Sequence, residues 1–275
     1  MPLANKSRMK TITSGVSTSL ITLLTDFGTS DTYVAQMKAV ILSRAPTCRL
    51  VDISHSVPPQ DIRCGARMLA EVTQLFPIGS VHLCVIDPGV GTNRRLVAVE
   101  IGQQFYVLPD NGLLTDLVDG NAVVAGVELD RSQWWCGNVT RTFHGRDIMA
   151  PVAAHLASGV SLWDLGSELQ SPPIRLPCAK LERIDDGFEC EIVGFDTYGN
   201  ILTNLPGNWL PEGVNHLHMQ NGPSAPLVGC YGEAEGGKPV WVIGSQGRIE
   251  LAVAGGSARQ QFPALVIGTT KIRID

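Results

Sequence analysis

What most limits the fold of this chain is a change of texture near residue 171. Between Ile21 and about Ser171, short apolar runs alternate with segments whose apolar residues recur at helical spacing. Ile21–Phe27 is an apolar run with Asp26 near its end, and Asp31–Ala45 then places Val34, Met37, Val40 and Ile41 at helical spacing before Pro46. Arg49–Ser54 reads as a short strand, and Pro59–Phe76 as a helix with Ile62, Ala66, Leu69 and Val72 on one face. Strands at Val81–Ile86, Leu96–Ile101 and Phe105–Leu108 follow, then a helix over Asp147–Ser158 whose first residue is acidic, as the helix dipole favours. This alternation predicts an α/β fold, a mainly parallel sheet with helices on both faces.

The helical spacing then stops. Ser171-Pro-Pro-Ile-Arg-Leu-Pro177 is a proline-spaced connector of the kind found between domains. Beyond it, Phe188–Phe195, Ile201–Leu205, Val214–Met219, Val240–Ile243, Ile249–Val253 and Ala264–Ile274 read as strands separated by Gly, Pro and Asn, with no helix among them. That pattern predicts a small all-β barrel or sandwich. The expected layout is a flexible extension over residues 1–20, an α/β domain over 21–172 and a β domain over 173–275.

Several function classes lose support at this level. A net charge of −5 gives no electrostatic reason to expect nucleic acid or an anionic membrane as partner. No apolar stretch approaches the ~20 residues needed to span a bilayer. The first twenty residues carry Lys6, Arg8 and Lys10 but no apolar core of a signal peptide. Seven cysteines without a CxxC pair read as reduced thiols, and the expected compartment is the cytoplasm.

Five loops carry acidic or histidine residues at strand ends: Thr25-Asp26-Phe27-Gly28 with Asp31, Asp52-Ile-Ser54-His55, Asp87-Pro-Gly-Val-Gly91, Pro109-Asp110-Asn111-Gly112 and Thr142-Phe143-His144-Gly145-Arg146-Asp147. In open α/β sheets ligands bind outside the carboxyl ends of the strands, so a parallel sheet would gather such loops on one edge. Asp87 closes the most apolar strand, and Arg94-Arg95 stands one short loop away. The plainer alternative for Asp87 is a loop cap beside a surface arginine pair, and for His55 a structural histidine bonded by Asp52 and Ser54. His144 sits between a Thr-Phe strand end and a helix N-terminus, beside a glycine that permits close approach of the backbone.

Asp26, Asp52, His55, Asp87, His144 and Asp147 are all metal-ligand types. No HxxxH, HxH or CxxC spacing occurs, however, and arginines beside Asp87 would repel a cation. There is no GxGxxG, P-loop or Gly-x-Ser-x-Gly motif. In the β domain, Asp196-Thr-Tyr-Gly-Asn200 is either a polar ligand contact or an Asx turn, and Tyr231 and Trp241 are either base-stacking or core aromatics.

Taken in order, the five loops and Asp196-x-x-Gly-Asn200 resemble the S-adenosylmethionine (SAM) hydroxide adenosyltransferases, also called SAM hydrolases, relatives of the fluorinase and chlorinase. The resemblance runs from about Thr22 to the C-terminus and implies an α/β catalytic domain followed by a β-barrel. It implies a homotrimer with each site between the first domain of one subunit and the second of its neighbour. It implies that Asp87, Arg94 and His144 position and activate water, that Asp26 binds the ribose hydroxyls, and that Asp196, Asn200 and Ser245 hold the methionine end. The segment Gly244-Ser245-Gln246-Gly247 departs from the family's Asn-Ser-x-Gly, and Gln60 stands where the halogenases carry an aromatic. The halogenases carry Tyr in place of Asp87, and the fluorinase Ser in place of Gly145, so the resemblance favours water over halide as nucleophile. The implied activity is hydrolysis of SAM to adenosine and methionine, with SAM as small-molecule substrate and no metal or redox cofactor. The alternatives are a nucleophilic halogenase and a non-catalytic nucleoside-binding protein.

Overall fold

The computed structural model describes residues 19–118 and 123–274. The extension expected over residues 1–20 lies outside the described residues up to 18, and Leu20 already opens the first strand. The chain divides between Arg175 and Leu176, within the proline-spaced connector, into two compact units.

The first unit runs β1 (Leu20–Thr25), α1 (Tyr33–Arg44), β2 (Arg49–Ser54), α2 (Ile62–Val72), β3 (Val81–Val85), β4 (Leu96–Ile101), β5 (Gln104–Pro109), α3 (Thr115–Val118), β6 (Val123–Glu128), α4 (Ala150–Ala157) and β7 (Ser167–Glu168). Its sheet has the order β2-β1-β3-β5-β4-β6-β7. Successive strand residues point to opposite faces, and both faces are covered. Ile21, Leu23, Val81, Leu83, Val85 and Val107 pack with Met37 and Ile41 of α1 and with α4. Leu24, Cys84, Ile86, Tyr106 and Leu108 pack with Leu69 of α2 and Leu117 of α3.

The sheet is mixed rather than mainly parallel. β1 pairs in parallel with β2 and β3, and β3 with β5, whereas β4 runs antiparallel to both β5 and β6 and β6 antiparallel to β7. The cause is a two-residue hairpin: Gly102 (φ 59°) and Gln103 (φ 66°) both take the left-handed conformation of a type I′ turn, which can only reverse the chain. The helix expected from Asp147 begins earlier, with a π-helical turn over Gly145–Met149 that leads into α4. Thr142 and Phe143 belong to a loop, not to a strand end.

The second unit contains β8 (Glu182–Ile184), β9 (Gly187–Phe195), β10 (Ile201–Pro206), β11 (His216–Met219), β12 (Ser224–Val228), β13 (Pro239–Ile243), β14 (Arg248–Val253), α5 (Ala258–Gln261) and β15 (Gly268–Ile274). The order β10-β14-β13-β12-β11-β15-β9 closes on itself through β9–β10, giving a seven-stranded barrel with β8 appended to β9. Phe188, Cys190, Ile192, Ile201, Leu205 and Trp241 fill it from alternate strand positions. Trp241 is fully buried and its Nε1 donates to the Leu217 carbonyl at 2.9 Å, so it is a core aromatic and not a base-stacking one. The short α5 departs from the strand-only expectation; its N-terminus is capped by Ser257 Oγ, which accepts from Gln260 N at 3.2 Å.

A polar cluster interrupts the apolar sheet of the first unit. His82 is fully buried in β3, with Nδ1 2.8 Å from Thr22 Oγ1 and Nε2 3.0 Å from Gln104 Oε1. The amide oxygen can only accept, so Nε2 carries the proton and Nδ1 accepts from the threonine hydroxyl. Gln104 Nε2 in turn donates to the Phe76 carbonyl at 2.8 Å, and Tyr106 donates its hydroxyl to Thr73 Oγ1 at 3.0 Å. Burial pushes the imidazole down to about 4, against the opposing Gln104 bond. The unfolded chain therefore takes up this proton near 6.5 and the folded one only near 4, so stability falls as pH drops through that window. At about 1.4 kcal/mol per unit, His82 accounts for on the order of 2 kcal/mol lost between pH 7 and 5. Urea unfolding at the two pH values measures this, and in His82→Gln the loss is expected to shrink by about that amount.

Candidate active site

The register between β1 and β3 fixes the site's first two residues. Thr25 pairs with Val85, so the loops that carry Asp26 and Asp87 leave the sheet side by side at its carboxyl edge. A cleft of about 370 Å³ opens there, lined by Asp26, Phe27, Gln60, Asp87, His144 and Gly145 among others. Three of the five acidic or histidine loops thus meet, and the β2–α2 connection adds Pro59 and Gln60. Gly145 is needed for close approach: a Cβ there would stand 3.0 Å from Val85 Cγ1, so the chain at His144 lies directly on the end of β3.

Arg94 organises the floor. Its Nε donates to Asp87 Oδ1 at 2.7 Å and its Nη2 to Asp87 Oδ2, a two-pronged ion pair whose side chains are only 11% and 5% exposed. Its Nη1 lies 3.1 Å from His144 Nδ1. A guanidinium has only donors, so Nδ1 must offer its lone pair, and the proton of the neutral ring sits on Nε2. Burial first, and the Arg94 charge second, hold His144 below its ordinary value, while Asp87 and Asp147 oppose them. The set is therefore a carboxylate, a guanidinium and a neutral imidazole.

Asp26 accepts from the Gln60 backbone N–H at 2.8 Å, with Gln60 in the left-handed region at φ 66°. Phe27, Tyr33 and Phe143 form a mutual cluster with ring centroids 5.4 to 5.7 Å apart on the cleft wall. Phe27 and Phe143 lie in two of the five loops, whereas Tyr33 opens α1 and nothing in the sequence marks it as their partner.

Arg95, Asp110, Asp147 and Asp52 make contacts outside the cleft lining. Arg95, adjacent to Arg94, turns away to Asp110, which is 3% exposed and also accepts from Ile174 N at 2.7 Å. Only one of the two arginines expected beside Asp87 is there. Asp147 is buried and takes bonds from Thr140 N at 2.8 Å, Thr140 Oγ1 at 2.7 Å and Arg146 Nε at 2.7 Å; burial pushes its carboxyl up, but these bonds outweigh it and hold it below the ordinary carboxylate range. Asp52 lies 3.1 Å from buried His55 and 2.6 Å from Lys38 Nζ, away from the cleft lining. Among the described residues no three His, Cys, Asp or Glu side chains are grouped as a cation site requires. No helix among them is long and apolar enough to cross a membrane.

In the second unit Asp196 closes an Asx turn: Oδ1 accepts from Tyr198 N at 2.9 Å and Asn200 N at 2.8 Å, and Oδ2 from Asn200 Nδ2 at 2.8 Å. Ser245 is exposed in the four-residue turn between β13 and β14. Tyr231 is half-exposed and donates to Glu250 Oε2 at 3.1 Å; burial and the Glu250 charge push its phenol up to about 12.

Comparison with known proteins covers most of the chain. The SAM hydroxide adenosyltransferase N-terminal domain model matches residues 21–166, and the C-terminal domain model matches residues 190–266. An (R)-S-adenosyl-L-methionine hydrolase from Salinispora tropica is 40% identical over 88% of this chain and 92% of that protein. A fluorinase from an Actinoplanes species is 29% identical over 85% of this chain and 90% of that protein. The crystal structure of an uncharacterized conserved protein from Thermotoga maritima superimposes with a TM-score of 0.87 at 32% identity, covering 92% of this chain and 99% of that one. The chain belongs to the SAM hydroxide adenosyltransferase family.

The Arg94–His144 contact makes a measurable demand. The imidazole of His144 is expected to titrate below the ordinary 6.5 in the native protein. Arg94→Ala removes the depressing charge, so in an NMR titration the His144 midpoint moves up; a midpoint unchanged by the substitution contradicts the contact.

Proposed function

We propose that this protein hydrolyses S-adenosyl-L-methionine to adenosine and L-methionine by attack of water on the ribose 5′-carbon. The observation that carries the reading is the pair Asp87 and His144 on the cleft lining, joined by Arg94, in a member of this family. A sulfonium departs as a neutral thioether, so the leaving group needs no general acid. The demand falls on the nucleophile, which must shed a proton as it attacks in line.

The geometry favours a division of labour. His144 Nδ1 is occupied by Arg94, so the ring offers its Nε2–H to the water and orients it instead of taking its proton. Asp87 receives two bonds from Arg94, and a carboxylate has about four lone-pair sites, so it retains the capacity to accept from water. Arg94 stabilises developing hydroxide character by its positive charge. Asp26 takes the ribose hydroxyls, and the aromatic wall of Phe27, Tyr33 and Phe143 excludes bulk water from the reacting carbon.

The site is completed by the barrel of a neighbouring subunit in a homotrimer, where Asp196, Asn200 and Ser245 hold the methionine end. Asp196 keeps one lone-pair site beyond its three local bonds, enough to meet an ammonium group. The reaction uses no metal or redox cofactor, and the protein works in the cytoplasm on a small-molecule substrate, with neither nucleic acid nor membrane as partner.

The test is incubation with S-adenosylmethionine, with and without chloride, followed by chromatographic identification of the nucleoside. Adenosine in both is expected; a 5′-chlorinated nucleoside would make the protein a halogenase, and binding without product a nucleoside sensor. Asp87→Ala is expected to lower kcat by about 10²–10⁴-fold, the usual worth of a positioned proton acceptor, and His144→Ala to lower it through loss of water orientation, while substrate still binds to both. A variant that turns over near the native rate removes that residue from the mechanism.

A further inference from the structure

The loop that carries Asp26 is held from behind by a chain of side chains outside the cleft. His55, 6% exposed, sits just beyond β2. Its Nε2 lies 3.1 Å from Asp52 Oδ1, and Asp52 Oδ2 is bound by Lys38 Nζ at 2.6 Å from α1. On the other side of the ring, Nδ1 lies 2.8 Å from Thr25 Oγ1, the last residue of β1, and that oxygen also accepts from Phe27 N at 3.3 Å. The His55 carbonyl accepts from Gly28 N at 2.7 Å. The loop Thr25–Gly28 is thus gripped at both ends by one residue, and the chain continuing from His55 returns at Gln60 to donate to Asp26 Oδ2 at 2.8 Å.

Packing alone does not require this arrangement. The hydrogen bond between Nδ1 and Thr25 orients the ring, and Asp52 Oδ1 stands within ion-pair range of Nε2 but outside hydrogen-bond geometry. Asp52 is 42% exposed in its side chain, so its pairing with Lys38 adds little to stability by itself. Its carboxylate beside Nε2 favours the ring orientation in which Nδ1 faces Thr25.

We propose that His55 is a positioning residue for substrate recognition: oriented by Asp52 and Lys38, it locks the Thr25–Gly28 loop so that the free oxygen of Asp26 meets the ribose diol. This rests on the reading that Asp26 binds the ribose hydroxyls. The consequence is selective, because a displaced Asp26 loses the diol contact and leaves the rest of the nucleoside site in place.

The experiment is calorimetric titration of adenosine and 2′,3′-dideoxyadenosine into the native protein and the variants Asp26→Asn, His55→Phe and Asp52→Ala. The native protein is expected to prefer adenosine. His55→Phe keeps the volume and is expected to weaken adenosine about tenfold, the size of one hydrogen bond to a charged group, with dideoxyadenosine little changed. Asp52→Ala, at a half-exposed position that the fold tolerates, shifts the preference in the same direction and guards against misfolding of the first variant. Equal weakening of both nucleosides, or of neither, while Asp26→Asn abolishes the preference, overturns the role of His55 alone. A preference that survives Asp26→Asn overturns the ribose role of Asp26, and this proposal with it.

Discussion

The two-pronged ion pair between Arg94 and Asp87 is the interaction on which the rest of the site depends. Both side chains are almost fully removed from water, so each charge is tolerable only in the presence of the other. Removing one partner of such a pair typically costs about 3–5 kcal/mol, because the survivor is left buried and uncompensated. The same guanidinium also faces His144, and three directed contacts from one planar group require arginine's fixed fork. A lysine could neutralise Asp87 but could not hold the carboxylate and the imidazole in one plane. One residue therefore sets the charge of the floor, the tautomer of its histidine and the separation of the two.

That convergence depends on the antiparallel turn-back in the sheet. Leu96 at the start of β4 pairs with Pro109 at the end of β5, and β5 runs parallel to β3. The residues just before β4 consequently lie at the carboxyl edge, level with Asp87. Had β4 followed the parallel pattern of its neighbours, its first residue would lie at the opposite edge, roughly 20 Å away along a six-residue strand. The Gly102-Gln103 hairpin, remote from the cleft, thus belongs to the same design as the ion pair. Arg94 and Arg95 then diverge, one toward Asp87 and the other toward Asp110, which ties the floor of the cleft to the 171–174 segment.

The parts of this picture that could be read from sequence are those with a local physical signature. Helical periodicity located α1, α2 and α4 within a few residues, and continuous apolar runs located β1, β3 and β4. The hairpin escaped because Gly-Gln is not a familiar type I′ pair; only Gly102 hints at it. β7 has two residues and no pattern to detect, and β12 carries Pro226, which argues against a strand. In the site, the loops were legible as a set, but not which carboxylates were free. Asp87, Asp110 and Asp147 are all loop aspartates, two of them close to an arginine in the chain. What separates them is the number of donors each receives, which includes contacts such as Ile174 N on Asp110 and Thr140 N on Asp147 that the sequence does not announce.

The charge balance of the floor also explains why a neutral histidine suits the proposed substrate. A sulfonium brings its own positive charge to the cleft, and a second cation facing it would oppose binding. Arg94 is already offset by Asp87, and Arg94 in turn helps keep His144 uncharged, so the set carries no net charge while still offering a donor and an acceptor to water. Asp26 then leaves the cleft with a net negative charge. Without the Asp87–Arg94 pair, the same pocket would present either an unopposed arginine, repelling the sulfonium, or an unopposed carboxylate, attracting it with nothing to align the water. In the proposed reaction the pairing would let the nucleophile be activated beside a cationic substrate without repelling it.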